Sequence, residues 1–212
     1  MKKIIASAAS ALILFGFTAC ETTSQTKISS QQDKIDDDKD AENVSDASKT
    51  DGPRTLVVYY SATGSTKKVA TVIAEATNGI LFELEPVDAY SHEDLDWTAD
   101  GSRVNLEHND ESLRSIKLVS TTVENWSEYD SVFIGYPIWW GIAAWPLNEF
   151  ITSNDFSGKT VIPFCTSASS GVGESDELLS QMAGTGHWLD GYRFRSNASN
   201  DEILEWISTL ND

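Results

Sequence analysis

Positive charge is scarce in this sequence. Fifteen Lys and Arg stand against 33 Asp and Glu over 212 residues, a formal charge of −18. Such a surface repels phosphate backbones and anionic headgroups, which excludes a nucleic-acid groove or a basic membrane patch. Histidine is rarer still: His92, His108 and His187 are scattered without metal-ligand spacing. Two cysteines, Cys20 and Cys165, allow one disulfide at most, so the fold rests on its core rather than on staples. Three chemical motifs are missing as well. There is no nucleotide-triphosphate loop with Gly-Lys-Ser/Thr after four spacers, no Gly-x-Gly-x-x-Gly fingerprint, and no Gly-x-Ser-x-Gly nucleophile elbow. The most apolar run, Ile4 to Phe17, is too short to span a bilayer comfortably.

What is present begins with that run. Lys2 and Lys3 precede it, and Phe17-Thr18-Ala19-Cys20 follows. The arrangement is that of a secretion leader. The four residues resemble the lipobox of bacterial lipoproteins, with Phe17 where Leu is usual. The resemblance implies that Cys20 is lipidated and becomes the mature N-terminus; ordinary cleavage near Ala19 is the alternative. If Cys20 is acylated, Cys165 stands alone. Residues 21–52, "ETTSQTKISSQQDKIDDDKDAENVSDASKTDG", are polar, acidic and poor in large apolar groups. They bury too little to offset ordering entropy and are expected to form a disordered tether. As a coil of about thirty residues it spans roughly 30 Å.

The chain is 40% apolar, enough for the remainder (53–212) to build a core of its own. "RTLVVYY" (54–60), "SVFIGYP" (131–137) and "TVIPFCT" (160–166) are near-continuous apolar runs, the mark of strands covered on both faces. "ILFELEP" (80–86) alternates like a more exposed strand, and "WLDGYRF" (188–194) is a weaker one. Helical spacing joins Val69, Ala70, Val72, Ile73 and Ala76, with a stop at Asn78-Gly79. Further helices are expected over 146–153, 175–183 and 200–210. The last has Asn200 as N-cap and Ile203, Leu204, Trp206, Ile207 and Leu210 inward. Strands alternating with helices predict an open α/β parallel sheet with helices on both faces. Residues 87–128 break the rhythm. A connection so long is usually functional or a lid.

"SATGST" (Ser61, Ala62, Thr63, Gly64, Ser65, Thr66) lies between the first strand and the first helix, at the carboxyl edge where such sheets bind ligands. Free N–H groups at a helix start attract anions, hydroxyls add donors, and Gly64 lets the backbone close round oxygens. A phosphate site therefore needs no lysine here. A plain helix cap explains the same residues.

The Ser/Thr-x-Thr-Gly-x-Thr pattern of Ser61, Thr63, Gly64 and Thr66, with "GYPIWWG" (135–141) and "SGKTVIPFCTS" (157–167), resembles the flavodoxin-like family, and most closely a bacterial subgroup. The resemblance spans about 160 residues from Pro53. It implies a five-stranded sheet of order 2-1-3-4-5 and non-covalent FMN. The phosphate would lie on residues 61–66 and the ring against Tyr136, Pro137, Ile138, Trp139, Trp140 and Gly141. The second flavin loop would be Thr166, Ser167, Ala168, Ser169 and Gly171, which lacks the aromatic many flavodoxins place there. That face is then covered by residues 87–128 or left open to a substrate. An indole on a Pro-containing turn suits a flat tricycle, although Trp139 and Trp140 also suit a core.

The resemblance implies a membrane-tethered, extracytoplasmic electron carrier whose partner is a redox protein or a small acceptor. The membrane would be met only through the lipid, and an acidic setting should lower the flavin potential. An FMN-dependent NAD(P)H or quinone oxidoreductase is the first alternative and a flavin-free scaffold of the same fold the second. Receiver domains share the strand order but require an Asp after the third strand, where Gly135-Tyr136 stands. Cys165 at an apolar strand end reads as buried filler. Arg103 reads as a surface ion pair or a cation folded back onto the site. Trp126 and Trp145 read as packing residues.

Overall fold

The computed structural model describes residues 54–210. The leader, Cys20 and the tether lie outside them. The first apolar run forms β1 (Arg54–Tyr59), which pairs in parallel with β2 (Ile80–Glu83) and with β3 (Tyr129–Trp139). A two-residue strand, β4 (Ile142–Ala143), folds back antiparallel on the end of β3. β5 (Thr160–Ser167) lies parallel to β3 on its other side. The fifth position in the sheet is shared by β6 (His187–Trp188) and β7 (Tyr192–Arg195), both parallel to β5. Counting that pair as one strand and β4 as an appendage, the order is the expected 2-1-3-4-5.

The break in the last strand has a local cause. Between its halves the Gly191 N–H donates at 2.6 Å to the Asp176 carboxylate. A Cβ at 191 would sit 2.4 Å from an Asp176 oxygen, so only glycine allows the approach.

The described residues form five helices, α1 (Ser65–Thr77), α2 (Arg103–Asn109), α3 (Leu147–Ser153), α4 (Ser175–Ala183) and α5 (Asn200–Thr209), and all but α2 cover the sheet. Because side chains alternate along a strand, the two faces divide the core. Val57, Tyr59, Phe133, Ile162 and Phe164 meet Val69, Ala70 and Ile73 of α1 and Ile203 and Trp206 of α5. Leu56, Val58, Val132, Ile134 and Val161 meet Leu147, Phe150 and Ile151 of α3 and Leu179 of α4. Each such side chain, fully buried, contributes about 1.5–3 kcal/mol.

Two details of α5 differ from expectation. Ser199, not Asn200, is its cap, and its hydroxyl accepts from the Glu202 N–H at 3.2 Å. Leu204 is 45% exposed, because the apolar stripe narrows to Ile203, Trp206 and their neighbours Ile207 and Leu210. The connection over 87–128 holds α2 and two short 3-10 turns. Val104 and Ile116 anchor it against Trp145, with Tyr90 and Trp139 packed alongside.

Candidate functional site

Three segments gather at the carboxyl ends of β1, β3 and β5. The first is the turn before α1. Gly64 is the N-cap, at φ +90°, a conformation that strains any residue with a Cβ. The Ser61 hydroxyl accepts from the N–H groups of Gly64 and Lys67, both at 3.1 Å, so two amides converge on one point. The Ser65 and Thr66 amides, the first two of the helix, find no acceptor among the described residues. No acidic residue lies in the first turn. The nearby cations are turned away: Lys67 pairs with Glu83 at 2.7 Å, and Lys68 donates to the Ala198 carbonyl at 2.7 Å. Partial positive charge at this turn therefore comes from backbone dipoles.

Thr66 joins this turn to the third segment. Its hydroxyl, buried with that of Thr166, lies 2.8 Å from it. Two hydroxyls share one bond with one hydrogen, and the other hydrogen stays available.

The second segment follows β3. The strand runs two residues beyond its expected end, through Trp139, and turns at Trp140-Gly141 to pair Ile138 with Ala143 and Trp139 with Ile142. Both turn residues have positive φ, +47° and +84°, which matches the twist of a tight hairpin. A tryptophan at positive φ is uncommon and is held there by its surroundings. The Trp140 ring stacks on His108, centroids 4.5 Å apart and planes 12° apart, and on Trp145 at 5.9 Å. Trp139 is gripped edge-on by Tyr60, Tyr90 and Trp145.

The third segment follows β5. Arg193 of β7, which sequence reasoning missed, donates to the Ser167 hydroxyl at 3.0 Å and to the carbonyls of Ser167 and Ala168 at 3.1 and 3.0 Å. The Ser167 hydroxyl itself donates to the Ser170 carbonyl. At Gly173 the chain passes so close to the Gly141 carbonyl that a Cβ would lie 2.3 Å from it. The two loops are thus locked together by a glycine.

The second and third segments, with the long connection, enclose a cavity of about 490 Å³, lined by Leu95, Trp97, Val104, Ile138, Trp139, Trp140 and residues 167–170. Of the residues expected at a ligand, Ile138, Trp139, Trp140, Ser167, Ala168 and Ser169 line it. Residues 61–66 do not line it; the Thr66–Thr166 bond ties their turn to the end of β5, next to residues 167–170. Tyr136 has a buried ring, and its hydroxyl donates to Asp176 at 2.9 Å, so its side chain belongs to the core. Pro137, Gly141 and Gly171 flank the lining residues without joining them. Burial raises the Asp176 carboxyl above its ordinary value, against the bonds from Tyr136 and Gly191.

The wall formed by Leu95, Trp97 and Val104 comes from the long connection, and its foundation is a buried carboxylate. Glu107 is 4% exposed. It accepts from Tyr90 Oη at 2.6 Å, Trp145 Nε1 at 2.6 Å and Arg103 Nε at 2.7 Å. Arg103 also lies 3.9 Å from the centroid of the Tyr90 ring and donates to the Asp88 carbonyl. It is therefore part of an inner lock rather than a plain surface ion pair. Arg114 ties the same stretch down through the carbonyls of Glu107 and His108. Arg103 and Glu107, opposite charges four residues apart, were the available signal in the sequence. Trp145 is 1% exposed, as expected of a packing residue, and Cys165 is fully buried, its thiol pushed up to about 12 by that burial.

Comparison with known proteins agrees with this architecture. The family model described as Flavodoxin matches residues 54–210. A protein from Bacteroides uniformis designated a flavoprotein is 39% identical, with a TM-score of 0.67, over 74% of this chain and 99% of that one. A second so designated, from Bacteroides eggerthii, is 36% identical, with a TM-score of 0.68, over 76% of this chain and 99% of that one. A flavoprotein from Lactobacillus acidophilus, solved in complex with FMN, shares the fold at 22% identity and a TM-score of 0.52, over 74% and 99% of the two chains. No curated protein matches the chain.

Proposed function

The chain belongs to the flavodoxin family, and from that premise we propose that it binds one FMN and passes electrons between a donor and an acceptor. The observation that carries the proposal is the turn before α1. Unpaired Ser65 and Thr66 amides, a positive-φ Gly64 and a first turn free of carboxylates suit a doubly charged phosphate ester. The cavity between the loops after β3 and β5, about 490 Å³ and walled by three tryptophans, is of a size and character that suit a flat aromatic ring. The residues present therefore fit the group. The Lactobacillus acidophilus flavoprotein, of the same fold, holds FMN.

In this reading the phosphate rests on the amides of Ser65 and Thr66 and the hydroxyls of Ser61, Thr63 and Ser65. Trp139 and Trp140 provide the apolar wall, Ser167 to Ser169 the polar rim. FMN, when bound, supplies the electron chemistry. The protein's own part is to hold and orient it, to exclude water with residues 95–104, and to set the electrostatic field through an acidic surface and Arg193.

Retention of FMN by the purified protein, followed by its visible absorption through gel filtration, tests this. Wild type should co-elute with the flavin. Replacing Gly64 by Glu adds both backbone strain and a like charge, and should abolish co-elution while the fold persists. Flavin retained by Gly64→Glu would refute the phosphate assignment.

A second reading, an FMN-dependent NAD(P)H or quinone oxidoreductase, draws on the small residues of the loop after β5, which leave room beside a ring. Steady turnover of reduced nicotinamide with a quinone would favour it over a carrier. We propose further that Cys20 is acylated and anchors the domain outside the cytoplasm. Incorporation of a labelled fatty acid that is lost in Cys20→Ser tests that.

A further inference from the structure

We infer that Trp97, from the connection between β2 and α2, is the aromatic that covers the flavin face which the loop after β5 leaves bare. The inference rests on the FMN reading above and adds to it a residue from a segment outside the two flavin loops.

Three tryptophans line the cavity, and they are not equivalent. Trp139 presents edges to Tyr60, Tyr90 and Trp145, at interplanar angles of 86°, 68° and 68°. Trp140 already stacks on His108. Trp97 pairs with no aromatic ring among the described residues and is 72% exposed, the most exposed of the large apolar side chains. Its indole is largely uncovered where it lines the cavity.

That exposure does not come from a loose loop. The Asn105 amide donates to the Trp97 carbonyl at 2.9 Å and to the Ala99 carbonyl at 2.7 Å. Asp96 accepts from both the N–H and the hydroxyl of Thr98, at 3.0 and 2.6 Å. Ser91 and Asp94 exchange reciprocal bonds at 2.9 and 3.1 Å. Below them, α2 is fastened by the buried Glu107. A fixed backbone that offers a bare indole is pre-organised for stacking, because little entropy remains to be lost when the face is covered. In the same lining, Ser167 to Ser170 carry no ring. An aromatic cover on that side of a flat tricycle then has to come from another wall, and Trp97 is the only ring on the remaining one.

The test is fluorescence titration of FMN with full-length wild type, Trp97→Ala and Trp97→Phe, alongside circular dichroism and urea midpoints. Since Trp97 is exposed, all three should share one fold and one midpoint. Wild type should quench flavin emission strongly. Trp97→Ala should weaken affinity by about 10- to 100-fold, the range of one base–aromatic stack, and its bound flavin should regain emission. Trp97→Phe should fall between. Trp97→Ala within twofold of wild type and equally quenched would overturn the inference, including the case in which only transfer to a partner slows. Wild type that binds no FMN would overturn the reading beneath it instead.

Discussion

Replacing Glu107 by Gln tests whether one buried carboxylate holds the outer wall of the site in place. The substitution preserves volume, so packing is nearly unchanged and hydrogen bonding decides the outcome. Glu107 serves three donors: Tyr90 Oη and Trp145 Nε1 on one oxygen, Arg103 Nε on the other. A glutamine amide has one acceptor and one donor end. If its nitrogen faces Arg103, two donors oppose each other and the guanidinium loses its nearest counter-charge. Asp88 remains at 3.5 Å but is 91% exposed and compensates little. If the nitrogen faces the other way, both Tyr90 and Trp145 lose their acceptor. Breaking a buried pair costs about 3–5 kcal/mol. Because the Arg103 side chain is 21% exposed, water recovers part of this, and we expect a loss of about 2–3 kcal/mol. Urea unfolding, followed by tryptophan emission, should show the midpoint falling with the slope unchanged. FMN affinity should fall as well, since Leu95, Trp97 and Val104 stand on this foundation. A change below about 0.5 kcal/mol, the level of an ordinary surface substitution, would refute the argument that Glu107 is the lock.

Other outcomes follow from single contacts. Gly135→Ala would place a Cβ 2.2 Å from the Phe164 ring, itself packed between Phe194 and Trp206; overpacking of this kind should cost about 1–3 kcal/mol by thermal or urea denaturation. Cys165 should resist iodoacetamide at pH 8 in the native protein and react once unfolded, because burial raises its thiol to about 12. Glu149 accepts from Lys117 at 2.7 Å and from the Leu118 N–H, and these bonds, the lysine's first, hold its carboxyl below the ordinary value. Its stabilising share is therefore present above the unfolded value of 4.5 and is lost as pH falls through the depressed native one. Stability of Glu149→Gln, set against wild type by urea titration, should show a gap at pH 7 that closes in acid.

Much of the architecture was legible because its signals are local. Unbroken apolar runs at β1, β3 and β5, helical spacing from Val69 to Ala76 and the Asn78-Gly79 stop specify buried strands and covering helices whatever surrounds them. The turn before α1 was legible for the same reason: its residues, 61–66, are consecutive. The cap of α5 was displaced by one residue, because Ser199 and Asn200 are both able caps and sequence alone does not rank them.

By itself, then, the order of residues determined which segments become strands and helices, and where the glycine-capped turn before α1 falls, since both depend on neighbours within a few positions. Only the tertiary structure decided the outer wall of the site. Trp97 reaches the cavity because Glu107 binds Tyr90 and Trp145, 17 and 38 residues away, and Arg193 fixes the loop after β5 from a strand 26 residues downstream of Ser167. A buried carboxylate and a cation feeding carbonyls leave no periodic trace in a sequence; their partners are chosen by where the chain, once folded, excludes water.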